Sequence, residues 1–520
     1  MMFDIKITGG MVFDGTGCPA VQHDIGISGD RIEAIENLSS TDAKFTIDAS
    51  GKYVCPGFID AHSHSDTYLL IEPSAPSKIF QGITTEVIGN CGASAAPLVG
   101  KYHMPGDWLD KTYPGTWSSV AEYRQLMESV RPAPNVYLLI GHNTLRVGIA
   151  GYENRVLSED ELEQVKQLLE KSLDEGGHGL STGLIYAPAM FSSKEELIEL
   201  AKVAAAKDGI YTSHMRSESN KVIEAIQELV SIARGAGIRA EISHLKTSGK
   251  KNWRFVDQAL QLVRGARQED LEIAADRYPY TSSCTDLDSI FPDWAAEGGR
   301  EAIMRRLRNV SERKRLRADL LKVKTDDYWQ TITIASTVHA DNRRFQGMVL
   351  TDAAKLLGME PVDAVLYFVE SDKVMTSAFF SGMSEENMLK ILAEPFVMLG
   401  TDASLRAIEG PLSKDYPHPR AYGSYPKFLR MALDGKTVPI TEAIRKMTSL
   451  PAKHFRIKNR GVIARGRKAD VIVFDPVEIN DKSNYKEPHH LSGGIETVIV
   501  NGILTINSGR LTGNRGGIFL

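Results

Sequence analysis

Eight short apolar runs along this chain each close on polar residues, and between most of them the pattern switches from strand-like to helix-like. The runs are YVCPGFIDAHSH, closing on His62 and His64; TTEVIGNC, on Cys91; NVYLLIGH, on His142; and GLST, on Ser181 and Thr182. They continue with GIYTSH, closing on His214; RAEISH, on His244; EIAADRYPY, on Asp276 and Tyr278; and PFVMLGTD, on Asp402. Short apolar runs bounded by turn formers read as buried strands. By contrast, SEDELEQVKQLLEKSLDEG and KVIEAIQELVSIARGAG repeat their apolar positions at helical spacing. Alternating strands and helices predict a parallel sheet, and eight such units predict a (β/α)8 TIM-type barrel of the α/β class. The C-terminal strand ends of that barrel meet on one face. Cys91, His214, His244 and Asp402 are therefore expected to converge across long sequence separations.

Both ends of the chain carry a different texture. Over residues 4–52, pieces such as FDIKITGGMVFDGTG and DIGISGDRIEAIENL are β-rich, turn at Gly and Asp, and contain no amphipathic helix. The same texture returns in GVIARGRKADVIVFDP and GIETVIVNGILTINSGRLTG, where Asn501-Gly502 marks a hairpin because a type I′ turn needs positive φ at both central positions. The expected partition is a barrel over residues 56–460, flanked by residues 1–55 and 461–520 as the two parts of one small β-sandwich. Between the seventh and eighth strands lie about 110 residues, against the dozen or so that a βαβ crossover needs. The charged, helix-like stretch at about 284–344, containing EAIMRRLRNVSERKRLRADLLKVK, is expected as a lid inserted over the barrel mouth.

Composition narrows the function without naming it. A hydrophobic fraction of 42% and a charged fraction of 24% over 520 residues suit a large globular core, and no apolar run approaches the roughly 20 residues of a membrane span. A net charge of -5 gives no general attraction to nucleic acid or anionic membrane. The start, MMFDIKITGGMVFDG, lacks a basic stretch followed by an apolar core, so the cytoplasm is the expected location. Cys18, Cys55, Cys91 and Cys284 are too sparse for a disulfide framework.

His62 and His64 stand two apart on a strand, so both imidazoles leave the same face and can serve one ion. A His-x-His pair alone reads first as turn histidines with satisfied hydrogen bonds, and a lone Cys91 first as an inert buried thiol. Five such residues at the ends of barrel strands change that balance. One thiolate with several imidazoles is a donor set suited to Zn²⁺.

The residues also carry a resemblance. The chain resembles the amidohydrolase superfamily, and within it the D-aminoacylase (N-acyl-D-amino-acid deacylase) group. The matching motifs are GFIDAHSHSD, TTEVIGNCG, GHNTLR, GLSTGLIYAPAM, HMRSES, SHLK, DRYPYT, GTDAS and HPRAYGSYPKFL, spread over essentially the whole chain. Many members of the superfamily place a carbamylated lysine at the end of strand four, where this chain offers only Ser181 and Thr182. The resemblance implies that Cys91, His214 and His244 hold a tight zinc and that His62 and His64 form a second, weak or empty position. It also implies that Lys246, Tyr278 and Arg420, with Tyr186 as a fourth, receive the substrate's α-carboxylate. Where the family reads Ser-Asp-Gly and His-His-Lys, this chain has Thr401-Asp402-Ala403 and His244-Leu245-Lys246, changes that remove neither a ligand nor the acid.

The expected chemistry is hydrolysis of an N-acyl-D-amino acid, a small-molecule substrate, with Asp402 as the group that moves protons. TSSCTDLDSIF after strand seven carries Asp286 and Asp288 but no Arg or Lys, so neutral side chains are favoured over D-glutamate or D-aspartate. Alternative enzymes of the same superfamily are a D-residue-specific dipeptidase and a cyclic amidase. Two rivals come from other classes. Gly179-Leu180-Ser181-Thr182-Gly183 matches the serine nucleophile-elbow pattern, although Pro188 disfavours the helix that motif needs. A non-catalytic scaffold would have lost metal ligands, whereas here every candidate is present.

Overall fold

The structure, a computed structural model, describes residues 2–102, 104, 106–109 and 111–520. Eight parallel strands form a closed barrel: Phe58–Asp60, Ile83–Ile88, Asn135–Leu138 continued by Ile140–Gly141, Gly179–Gly183, Ile210–His214, Arg239–Ile242, Ile273–Arg277 and Val397–Leu399. Neighbours pair in sequence order. The seam between the first and eighth strands closes through Ala61 N donating to Leu399 O at 3.3 Å and a parallel bridge between Ser63 and Ala403. Every residue of these strands is buried, as expected when helices cover the outer face and side chains fill the inner one.

The alternation along each strand sorts chemistry from packing. Ile273 and Ala275 join the large cluster beneath the helices, while Ala274 joins Ile59, Val87, Tyr137, Ile210 and Met398 in a second cluster. Asp276 follows Ala274 with period two, so the inward file passes from apolar to polar as it reaches the C-terminal strand ends. The covering helices include Val120–Val130, Glu159–Asp174, Lys194–Ala206, Val222–Ala236 and Val256–Gln268. Capping boxes at Ser119 and Ser158 start the first two.

Strands from both ends of the chain share one sheet. Tyr53–Pro56 pairs antiparallel with Val471–Phe474, which continues to Ile495–Val500 and Ile503–Asn507. A second sheet holds Phe3–Thr8, Asp24–Ser28, Arg31–Glu36 and Ala43–Asp48, and a buried cluster including Ile5, Ile25, Ile47, Val471 and Ile499 draws on both sheets. Asn501 and Gly502 have φ of 49° and 76°, and a Cβ on Gly502 would lie 1.9 Å from Gly29 O, so the hairpin needs glycine twice over.

The insertion is larger than the 284–344 expected from its charged helices. It runs over residues 282–381, where Ser282–Asp286, Ile332–Ile334 and Ser377–Ser381 make an antiparallel sheet. Its own core includes Leu287, Leu316, Ile332, Leu366 and Ala378. The charge pattern marks only the outer helices, whereas the returning half is apolar because it packs inside the insertion. Its edges touch the barrel mouth: Trp253 Nε1 donates to Gly382 O at 2.8 Å, and Tyr186 Oη lies 2.9 Å from Thr285 Oγ1.

The seam of the barrel is built around Lys78, whose side chain has no exposed surface. Its Nζ reaches Asp60 Oδ2 at 2.8 Å, Thr401 Oγ1 at 2.9 Å, Ser63 Oγ at 3.0 Å and Ala403 O at 2.9 Å, with Glu86 Oε2 at 3.2 Å. Removing one member of a buried charge cluster leaves the others unpaired, at a cost of about 3–5 kcal/mol. Lys78→Met is therefore expected to lower stability by that order, read from the urea midpoint; a loss below about 1 kcal/mol would show that the cluster does not hold the seam.

Candidate metal centre

The candidate ligands lie at strand ends whose backbones are bent back sharply. Cys91, His244 and Asp402 have φ of 52°, 38° and 50°, left-handed values that cost non-glycine residues about 1–3 kcal/mol and persist where the surroundings over-determine them. Around Cys91 the turn is set by neighbouring glycines: a Cβ on Gly89 would fall 2.0 Å from Leu139 O, and one on Gly92 2.1 Å from Asn143 Oδ1. The backbone of the second strand end thus approaches the third too closely for any side chain.

Cys91 sits at the centre of the cluster. Its Sγ lies 3.3 Å from His62 Nε2, 3.5 Å from His214 Nδ1 and 3.4 Å from His244 Nε2. Two overlapping groups have donor atoms within 4.8 Å of one another: Cys91, His214 and His244 in one, and His62, His64, Cys91 and Asp402 in the other. All five candidate ligands and Asp402 are therefore brought together, with Cys91 common to both groups. Asp402 Oδ1 is 3.1 Å from His64 Nε2 and 3.5 Å from His62 Nε2.

Each of three imidazoles offers one nitrogen to the thiol and turns the other to a carboxylate. His62 Nδ1 is 3.0 Å from Asp276 Oδ2, His244 Nδ1 is 2.7 Å from Glu218 Oε1, and His214 Nε2 is 4.0 Å from Glu218 Oε2. For His62 and His244 this carboxylate–histidine pattern favours the tautomer in which the inner nitrogen is free to ligate, the usual support of a zinc-binding imidazole, while His214 Nε2 at 4.0 Å makes no hydrogen bond. Burial pushes the Cys91 thiol up, but the charges of His62 and His244 outweigh it and hold the thiol well below its ordinary range. Burial lowers His64, and its hydrogen bond to Asp402 overrides that and raises it to about 9. A thiolate among protonated imidazoles is a donor set that exchanges protons for a cation, so the residues present fit a zinc ion.

The expected carboxylate-binding residues form a neighbouring group. Arg420 NH1 donates to Asp402 Oδ2 at 2.6 Å and NH2 to Cys284 O at 3.1 Å, and its guanidinium lies 4.7 Å from the centre of the Tyr278 ring. Lys246 Nζ lies 5.8 Å from the same ring and hydrogen-bonds to Glu218. The Tyr278 hydroxyl is buried and has no hydrogen-bond partner among the described residues, nor has Arg420 Nε. Buried polar groups are normally hydrogen-bonded, so two unsatisfied donors beside two cations single this group out. The Tyr186 ring meets His214 edge-on at 5.1 Å, and its hydroxyl faces Thr285. Ser181 Oγ is spent on Gly92 N and Gly89 O, and the chain after Gly183 turns instead of entering a helix, so the nucleophile-elbow geometry is not formed.

Sequence reasoning missed Glu218 and the supporting role of Asp276. Glu218 follows His214 by four residues, a spacing that the motif HMRSES displays without saying which way the side chain turns. Asp276 ends the seventh strand and serves His62 Nδ1 and His244 N at once, the latter at 3.0 Å.

A closed parallel barrel whose C-terminal strand ends gather a thiol, four imidazoles and an aspartate defines a class of metal-centred barrels. The chain belongs to the amidohydrolase family, whose models match residues 46–347 and 374–504. Among its relatives is a D-aminoacylase of Alcaligenes xylosoxydans xylosoxydans, 31% identical over 99% of this chain and 97% of the relative. An N-acyl-D-glutamate deacylase of the same organism is 33% identical over 96% of this chain and 93% of its own length. The crystal structure of N-acyl-D-glutamate deacylase from Bordetella bronchiseptica, complexed with zinc and a phosphonate mimic of the tetrahedral intermediate, superposes with a TM-score of 0.86. It is 32% identical and covers 100% of both chains.

The thiols separate by reactivity. Burial pushes Cys55 and Cys284 up, while Cys91 is held down. An ordinary thiol near 8.5 is under about 1% ionised at pH 6. In the presence of a chelator, iodoacetamide at pH 6 is expected to label Cys91 ahead of the exposed Cys18. Peptide mass spectrometry reads the order, and prior labelling of Cys18 would remove the thiolate from the site.

Proposed function

We propose that the protein is a zinc-dependent hydrolase of N-acyl-D-amino acids, releasing a carboxylate and the free D-amino acid. The observation that carries this reading is the convergence of Cys91, His214, His244, His62, His64 and Asp402 at one barrel mouth, beside a buried cationic group with orphaned donors. Full-length likeness to a D-aminoacylase and to N-acyl-D-glutamate deacylases supports the same substrate class.

On this reading Cys91, His214 and His244 would hold one tight zinc, and His62 and His64 a second, weaker position. Zinc held there supplies a Lewis acid for the acyl oxygen and a nucleophilic water near neutral pH. Asp402 takes the proton of the attacking water on Oδ1, the oxygen beside His62 and His64, and delivers it to the departing nitrogen. Lys246, the Tyr278 hydroxyl and Arg420 receive the α-carboxylate, Arg420 as a fork and Lys246 as a point charge. Tyr186, whose ring meets His214, would stand as a fourth residue toward the carboxylate. With carbonyl and carboxylate both held, the α-substituent has one direction left, and the L-enantiomer misaligns. Free thiols at all four cysteines support a reducing, cytoplasmic setting, where a Cys91 thiolate survives.

Asp402→Asn is expected to retain zinc by elemental analysis while kcat falls by about 10²–10⁴-fold, the usual contribution of a positioned proton-transfer group. A variant keeping more than about a tenth of wild-type kcat would assign the proton to another residue.

Specificity rests on the segment after the seventh strand. Asp286 and Asp288 lie there with no Lys or Arg between residues 281 and 291. Burial pushes the Asp288 carboxyl up to about 6, so near neutral pH it is largely charged and adds repulsion to the missing cation. Identities of 31% and 33% to relatives named for different substrates leave the side chain undecided, so charge is the better guide. N-acetyl-D-amino acids with neutral side chains are expected to be hydrolysed best and L-enantiomers poorly. A panel that includes N-acetyl-D-glutamate, N-acetyl-D-aspartate and D-dipeptides tests this, and preference for the acidic residues would overturn the charge argument.

A further inference from the structure

Glu218 stands where two parts of the proposed site meet. It leaves the loop after the fifth strand with its side chain 16% exposed, and its carbonyl accepts from Ser248 N at 2.7 Å, which ties that loop to the one after the sixth strand. Its Oε1 is 2.7 Å from His244 Nδ1 and also accepts from Lys246 Nζ, while Oε2 is 4.0 Å from His214 Nε2. Both imidazoles of the proposed tight zinc position therefore turn their outer nitrogens toward one carboxylate. The same oxygen holds the lysine proposed to anchor the substrate. His62, assigned to the weaker position, uses a different carboxylate, Asp276.

Two simpler roles predict less than this geometry. A counter-ion for Lys246 alone would have no reason to face His244 Nδ1 at hydrogen-bond distance, and a partner for His244 alone would have no reason to share its oxygen with an ammonium. Lys246 Nζ is itself 2.8 Å from His244 Nδ1, so the three groups form one tight cluster. The ammonium donates to Oε1, and a proton on Nδ1, 2.7 Å from the same oxygen, would leave His244 Nε2 as the lone pair facing Cys91.

We propose that Glu218 is a positioning residue that couples the zinc position to the substrate-carboxylate anchor, an inference that rests on the deacylase reading. Movement of Lys246 toward an arriving carboxylate then alters the hydrogen bond that orients His244. Metal binding and substrate binding become linked through one side chain.

The test uses the zinc-loaded enzyme and two readouts. Glu218→Gln keeps the shape and loses the charge, and is expected to weaken zinc about 10–100-fold in chelator competition, the usual cost of losing a ligand's supporting partner. It is also expected to raise KM for an N-acetyl-D-amino acid about tenfold more than for the corresponding amide, which lacks the carboxylate. Lys246→Met should show the acid-selective effect with a smaller change in zinc affinity than Glu218→Gln, because it leaves the carboxylate behind His244 in place, and the double variant should be markedly less than additive on the free acid. Glu218→Asp, which keeps the charge on a shorter arm, should recover part of both effects and guards against simple misfolding. Unchanged zinc affinity in Glu218→Gln, or additive losses in the double variant, would overturn the coupling. Failure of the parent reading looks different. Wild-type enzyme inactive on every N-acyl-D-amino acid, or Lys246→Met equally impaired on acid and amide, would remove the carboxylate anchor and the coupling with it.

Discussion

A buried ammonium at the seam of the barrel determines where the chemistry can sit. Lys78 comes from the short helix Pro76–Ile79 beyond the first strand, yet its contacts reach the first, second and eighth strand ends. A lone ammonium there would be strongly unfavourable, and two carboxylates, two hydroxyls and a carbonyl offset that only if all of them stay in place. Asp60, which Lys78 holds, accepts from Thr401 N at 2.8 Å and from His62 N at 3.3 Å, and Asp402 N in turn donates to His62 O at 2.8 Å. His62 and Asp402 are thus tied together by backbone atoms. Neither can shift without opening the charge cluster behind it.

The same logic of pairing orders the mouth itself. Asp276 and Glu218 orient the imidazoles from outside, and Asp402 shares the inside with Arg420. Below them, burial and the neighbouring Asp276 charge push the Glu241 carboxyl well above its ordinary range, so a neutral acid lies beside a charged one. Two buried acids with one charge between them is the arrangement that keeps Asp276 ionised for His62 and His244. The cluster is then a set of matched charges in which an incoming cation replaces protons.

Much of this was legible in the sequence, and the illegible part has a common cause. The eight apolar runs, their polar ends and the Asn501-Gly502 hairpin are local patterns, and local patterns survive in a linear reading. Arg420 meets Asp402 although it lies eighteen residues further along, because the chain folds back before the helix Arg420–Leu433 begins. Lys78, Glu218 and the second role of Asp276 could not be read, because a charge on a loop looks the same whether it is solvated or locked against a partner on another strand. The insertion was underestimated for the opposite reason: its apolar return half resembles ordinary core, and only pairing between Ser282–Asp286 and Ser377–Ser381 reveals that it packs on itself.

That self-contained packing has a consequence for how such an enzyme can vary. Every candidate ligand and Asp402 lies on the barrel, whose strand ends are fixed by the seam and by carboxylate–imidazole pairs. The insertion meets the mouth along its edge strand, where Cys284 O accepts from Arg420, Ser282 O faces His418 Nε2 and Thr285 meets Tyr186. With its own hydrophobic core, the insertion can exchange residues at that edge without disturbing the metal-binding geometry. On the proposed reading, selection among acyl-amino acids falls to the edge strand Ser282–Asp286 and the turn that follows it, while the groups on the barrel stay constant. Near-equal identity to relatives named for different side chains is what this division of labour produces, since a specificity determinant confined to a few residues of one strand contributes almost nothing to identity over the whole chain.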